Sequence, residues 1–106
     1  MYWIMKEFNE NMSKVLDIQL ALENYQDNTG QNTNLINEAF GAIATLRQKK
    51  TEMVEEERLM ASIELLNKLN NVLDVIGREK FIFYEDGGIG YEWDLSLLEG
   101  GKNVKG

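Results

Sequence analysis

Carboxylates are the reactive groups this chain offers in quantity. Glu52, Glu55, Glu56 and Glu57 crowd one short stretch, and Asp86, Glu92 and Asp94 bracket the glycine-rich run Gly87-Gly88-Ile89-Gly90. A carboxyl pair does acid–base work when an apolar pocket raises one pKa, and nothing in these spacings builds such a pocket. Asp86, Glu92 and Asp94 lack the spacing of a calcium loop. The glycine run could cradle a phosphate on its backbone N–H groups, but that use needs a helix after the loop. Here an alternating, strand-like stretch follows, and Glu85, Asp86 and Glu92 would repel an anion. Ser13, Ser62 and Ser96 have no base to activate them, because the chain contains neither histidine nor cysteine. The expectation is a protein that is not an enzyme and that has no catalytic residue, metal site or cofactor. Its acids are then solvated surface, or a surface offered to a basic partner.

Composition narrows this further. The chain has 106 residues, 43% hydrophobic and 9% aromatic, enough for one modest core and too few for two. Without cysteine there is no sign of an oxidising compartment. No apolar run approaches the ~20 residues of a membrane span, so a cytoplasmic protein is expected, with no membrane partner. The net charge of −7 argues against direct nucleic-acid binding, which needs clustered lysine and arginine. Only residues 31–50 are net positive.

These groups must be positioned by what the spacing predicts: a single domain over 1–99, mainly α with a small β-hairpin (α+β). A first helix spans 3–26. Met1, Met5, Phe8, Met12, Val15, Gln19 and Leu22 form one stripe, while Leu16, Ile18, Leu20 and Tyr25 fall outside it. The polar run Asp27 to Asn34 turns the chain back antiparallel, with Thr33 or Asn34 placed to cap the next helix.

A long second helix, straight or kinked, is expected over 34–76, which makes a helical hairpin of coiled-coil type. It carries two seams. Ile36, Ala39, Ile43, Leu46, Lys50, Met53, Glu57 and Met60 form the first; Leu59, Ser62, Leu66, Leu69, Leu73 and Ile76 form the second, broadened by Ile63, Leu65 and Val72. Positions 59 and 60 lie about 100° apart on a helix, so the buried face rotates near 53–60. A turn between Lys50 and Glu57 would give a three-helix bundle. Arg47, Lys49 and Lys50 suit a helix end, and the following glutamates suit a helix start. Against a turn, Arg47–Ala61 contains no turn residue, and the continuous helix is favoured. The second seam then overhangs the first helix and needs another chain. Leu59, Ile63, Leu66, Leu69, Leu73 and Ile76 become the candidate interface of a homo-oligomer, with a dimer favoured. Gly41, among Ala39, Ala42, Ala44 and Thr45, reads as a place where another helix approaches closely.

Gly77 ends the helix. A hairpin over 80–95 follows, then a disordered tail over 100–106. A three-residue turn at Asp86-Gly87-Gly88 would pair Phe83 with Tyr91 and Phe81 with Trp93, gathering four aromatics on one face. Tyr84, Glu92 and Asp94 would share the other.

The leading functional expectation is a small acidic protein–protein interaction module, with Glu52, Glu55, Glu56, Glu57, Tyr84, Glu92 and Asp94 as candidate contacts for a basic surface. That surface could be one that another protein uses for nucleic acid. Such acidic, cysteine-free, asparagine-rich composition is shared with phage-encoded inhibitors of host machinery. One alternative is an oligomer that sequesters a nucleotide or other small ligand at a subunit interface. There Arg47, Lys49, Lys50, Arg58, Arg78 and Lys80 would supply charge, and Tyr84, Tyr91 or Trp93 would stack. Another is a structural assembly unit.

Overall fold

The computed structural model describes residues 2–91, the side chain of Tyr2 aside. Trp93, Leu95 and residues 96–106, with the strand end, helical turn and tail expected there, lie outside the described residues. Helix α1 (Tyr2–Thr29), helix α2 (Thr33–Lys49) and helix α3 (Glu55–Ile76) are followed by the strands β1 (Phe81–Phe83) and β2 (Ile89–Tyr91). The mainly α fold with a C-terminal antiparallel hairpin therefore stands.

Helix α1 runs 28 residues because no glycine or proline interrupts it. Its buried row is Ile4, Phe8, Val15, Ile18, Leu22 and Tyr25, with Ala21 alongside. Asn11, partly buried, fills the remaining place in this 4-3-4-3 order. The row is thus rotated slightly from the expected stripe: Phe8, Val15 and Leu22 are shared, but Ile18 and Tyr25 are inside and Gln19 only partly so. The helix ends at Gly30, whose positive φ of 66° lets its N–H bond the Gln26 carbonyl at 2.8 Å. Asn32, also left-handed at φ 56°, holds the cap position of α2 in place of Thr33 or Asn34. Its side chain does not cap; Nδ2 donates to the Tyr25 hydroxyl at 2.8 Å.

The second helix is interrupted. Lys50–Glu52 tightens into a 3₁₀ turn, Met53 and Val54 are extended with ψ of 149° and 165°, and α3 then starts afresh. Packing explains the break. One straight helix would present its two seams about 100° apart, and only one could reach α1. Bending at 50–54 brings Ile36, Ala39, Ile43 and Leu46 into the same core as Leu65, Leu69, Val72, Leu73 and Ile76. Burying each large apolar side chain contributes about 1.5–3 kcal/mol, which outweighs the few helical hydrogen bonds lost. The bend itself is satisfied: Glu57 accepts the Val54 N–H at 3.3 Å, and Arg58 Nε donates to the Met53 carbonyl at 3.2 Å. Arg47 and Lys49 close α2 and Glu55–Glu57 open α3, as the helix dipoles prefer.

Three helices result, with α3 parallel to α1. Asn11 Nδ2 donates to Ser62 Oγ at 3.1 Å near one end, and Tyr25 packs on Phe81, just past α3, near the other. Ser62 is fully buried and donates in turn to the Leu59 carbonyl at 2.7 Å, so its hydroxyl is satisfied on both sides. Gly41 plays no packing role. It is exposed, and among the described residues a Cβ there would meet nothing within 4 Å. Gly41→Ala is expected to stabilise the protein by about 1 kcal/mol, seen as a rise in Tm of about 4–8 °C.

The hairpin register is Phe81↔Tyr91, Ile82↔Gly90 and Phe83↔Ile89. The turn has three residues with a left-handed glycine, as expected, but it is Glu85-Asp86-Gly87 rather than Asp86-Gly87-Gly88. Tyr84 N–H bonds the Gly88 carbonyl at 2.9 Å, Gly87 N–H bonds the Tyr84 carbonyl at 3.0 Å, and Gly87 has φ 94°. Pairing Phe83 with Tyr91 is thereby corrected. The shift moves each partner by two residues, so Phe81, Phe83 and Tyr91 keep one face. What selects this register is Tyr25. Its ring lies 6.1 Å from Phe81 and 5.4 Å from Tyr91, and those two are 5.6 Å apart.

Candidate interaction surface

The sequence of α3 leaves one face unused by the core. Glu56, Met60, Ile63, Asn67, Asn70 and Asp74 recur at 4-3-4-3-4 spacing and are all exposed. The row opens with carboxylates and turns apolar, since Met60 is 57% and Ile63 40% exposed. It ends beside the hairpin. Phe83, 50% exposed, lines a groove with Leu66, Asn70 and Ile89. Arg78 fastens that corner: Nε bonds Asp74 at 2.9 Å, the guanidinium reaches Asn70 Oδ1 at 3.2 Å, and it stacks 5.3 Å over the Phe83 ring. A 22-residue helix gives this face a length of about 33 Å.

The expected acidic contacts divide as follows. Glu52 is exposed in the 3₁₀ turn, Glu56 and Glu57 are exposed in the first turn of α3, and Glu55 is half-buried there. Tyr84 is half exposed at the hairpin turn, with its hydroxyl 3.2 Å from where a Cβ on Gly90 would stand. That turn lies beside Glu10, Lys14 and Asp17 of α1. The Glu52–Glu57 group and Tyr84 are thus carried by different elements. Glu92 and Asp94 lie outside the described residues.

Of the residues expected at an oligomer interface, Leu69, Leu73 and Ile76 sit in the chain's own core, Leu59 and Leu66 are half-buried, and Ile63 is exposed. The bend removes the overhang from which that interface was argued. The six cations proposed to collect a ligand are split. Arg47, Lys49, Lys50 and Arg58 lie around the bend, and Arg78 and Lys80 lie past the far end of α3. Tyr91 is packed on Tyr25.

Phe83 and Met60 were not among the expected contacts. Their signal was present: Phe83 is the last residue of β1, where a strand leaves its support, and Met60 closes a seam whose next member, Glu64, is charged. A different concavity of ≈ 350 Å³ lies between α2 and α3, walled by Ala42, Leu46, Met53, Ala61 and Leu65 with Lys49, Glu64 and Lys68 at its rim. Among the described residues no group of three acids is placed to hold a metal ion, and no helix is long and apolar enough to cross a membrane. No family model, curated protein or solved structure matches this chain.

Proposed function

We propose that the chain is a non-catalytic protein-interaction module that docks the outer face of α3 against a basic, partly apolar surface of another protein. The observation that carries this reading is the single exposed row from Glu56 through Met60 and Ile63 to the corner held by Phe83. Exposed apolar side chains at the centre of a row with charge at its rim are the arrangement of an interface anchor. The net charge of −7 steers the chain toward a cationic partner, and a surface that another protein uses for nucleic acid has that character. An inhibitor that occupies such a surface fits this description.

The test is affinity capture at low salt, followed by titration against the purified captured protein. Charge reversal at Glu52, Glu56 and Glu57 is expected to weaken binding at least tenfold and to flatten its salt dependence. Met60→Asp with Ile63→Asp is expected to abolish it, since central anchors carry about 2 kcal/mol or more each. Unchanged affinity in both variants would remove the α3 face from consideration.

The groove between α2 and α3 favours a second reading, capture of a small anionic ligand with an apolar body, because Lys49 and Lys68 outnumber the one carboxylate, Glu64, beside its apolar walls. A rise in Tm with nucleotides, lost in Lys49→Glu/Lys68→Glu, would support it.

A further inference from the structure

We infer that Lys50–Val54 is a two-state hinge, bent in the monomer and straight in a domain-swapped dimer in which α1 and α2 of one chain pack on α3 and the hairpin of a second copy. Three observations on this segment converge. First, the bend contains no glycine and no proline, and none of its residues has a positive φ. Only Met53 and Val54, at φ/ψ of −106°/149° and −74°/165°, depart from helical geometry. Rotating two ψ angles converts the bend into a helix running from Thr33 to Ile76, and the residues concerned accept helical values readily.

Second, the bent form leaves a seam incomplete. Met60 continues the 3-4 row of Ile36, Ala39, Ile43, Leu46 and Met53, yet in the bent chain it is 57% exposed, as is Val54 at 60%. A straight helix places Met53 and Met60 back on that row. Two such helices crossing at their hinges set that row of one copy, with Met53 and Met60, against the other copy.

Third, the exchange creates no new main interface. The contacts of α1 with α3, of α1 with the hairpin, and the Asn11–Ser62 hydrogen bond are re-formed between chains with the same partners. The monomer and the dimer therefore differ chiefly at the hinge and in chain entropy. Such a balance is set by concentration, and a short connection between exchanging halves invites it.

The hinge geometry supplies its own control. Val54 has φ −74°, within the range proline imposes, and Met53 before it is extended, as a residue preceding proline prefers. Val54→Pro thus fits the bend, giving up only the exposed bond from the Val54 N–H to Glu57. In the straight helix it would occupy an interior position and disfavour that form by roughly a hundredfold per hinge. Val54→Ala should act oppositely, by raising helix propensity at an exposed position where the β-branched valine favours the extended form.

The 106-residue chain, unfolded in guanidinium and refolded across a range of concentrations, would be analysed by size-exclusion chromatography with light scattering. A dimer fraction that grows with refolding concentration is expected for the wild type, a larger one for Val54→Ala, and a monomer throughout for Val54→Pro. Because the chain has no cysteine, Asn11→Cys with Ser62→Cys reports which copy supplies each half. Oxidation should link the two cysteines within one chain in the monomer fraction and between chains in the dimer fraction. A wild type that stays monomeric at every concentration overturns the inference. So does a Val54→Pro protein that dimerises as the wild type does, or a dimer whose cysteines link only within chains.

Discussion

Tyr25→Ala is expected to cost about 3–5 kcal/mol and to release the hairpin from the helices. Tyr25 is the largest of the fully buried side chains, at 1% exposure, and joins three parts of the chain that are far apart in sequence. Its ring is the platform on which Phe81 and Tyr91 pack from opposite strands. Its hydroxyl accepts the Asn32 amide at 2.8 Å, and its carbonyl accepts the Thr29 hydroxyl at 2.9 Å. The last of these survives substitution and the others do not. A two-stranded hairpin is marginal in water without support, so loss of the platform should free the hairpin even at temperatures where the helices persist. Hydrogen exchange would then show fast exchange at the cross-strand amides of β1 and β2 beside slower exchange in α3. Tyr25→Phe separates the two contributions. It keeps the ring and loses two partly buried hydrogen bonds, the one accepted from Asn32 Nδ2 at 2.8 Å and the long one donated to Gln31 Oε1 at 3.5 Å, for about 0.5–1.5 kcal/mol each. Equal destabilisation by both variants would show that the hydroxyl, and not the ring, holds the hairpin.

Leu69→Ala is expected to cost about 2–5 kcal/mol in thermal or denaturant unfolding, with no effect specific to the monomer–dimer balance. Leu69 is fully buried and belongs to the cluster shared by all three helices and Phe81. Truncating it leaves a cavity that close-packed neighbours fill only in part. Whether the chain is a monomer or a swapped dimer, the same contacts surround Leu69, so both forms should weaken together. Had the second seam been an exposed oligomer surface, the substitution would change subunit affinity with little change in the stability of a single chain. For a domain of this size, whose total stability is about 5–15 kcal/mol, a loss at the upper end of the range would leave much of the protein unfolded at 37 °C. A drop of less than 1 kcal/mol would show that Leu69 is not packed as described.

Much of the fold could be read from the residues in order. Apolar period, the Asp27–Asn34 turn, Gly77 and the alternation after it are local signals, and each lands within a few residues of the observed boundary. The inward row of α2 was legible in full, since Ile36, Ala39, Ile43 and Leu46 are all buried. The candidate surface was legible in part. Glu52, Glu56 and Glu57 are exposed as expected, because consecutive carboxylates at a helix start have few other places to go. Met60 was read as the end of the first seam and Phe83 as part of the hairpin's aromatic face, and an apolar residue in such a pattern carries no local mark that tells whether its neighbour extends far enough to cover it.

Tertiary packing decided the rest, at two places. Over Lys50–Val54 local preference supports a helix, as the segment has strong helix formers and no breaker. The bend exists because two seams on one helix must both reach α1, and the gain from burying Leu65, Leu69, Val72, Leu73 and Ile76 together exceeds a local preference of a few tenths of a kcal/mol per residue. In the hairpin, two adjacent glycines, Gly87 and Gly88, permit the turn at either of two positions. Tyr25, distant in sequence, selects the one that sets Phe81 and Tyr91 against its ring. Composition, element order and the acidic character of the surface thus follow from the chain alone. Where the rod bends and how the strands pair depend on long-range burial, which no local window contains.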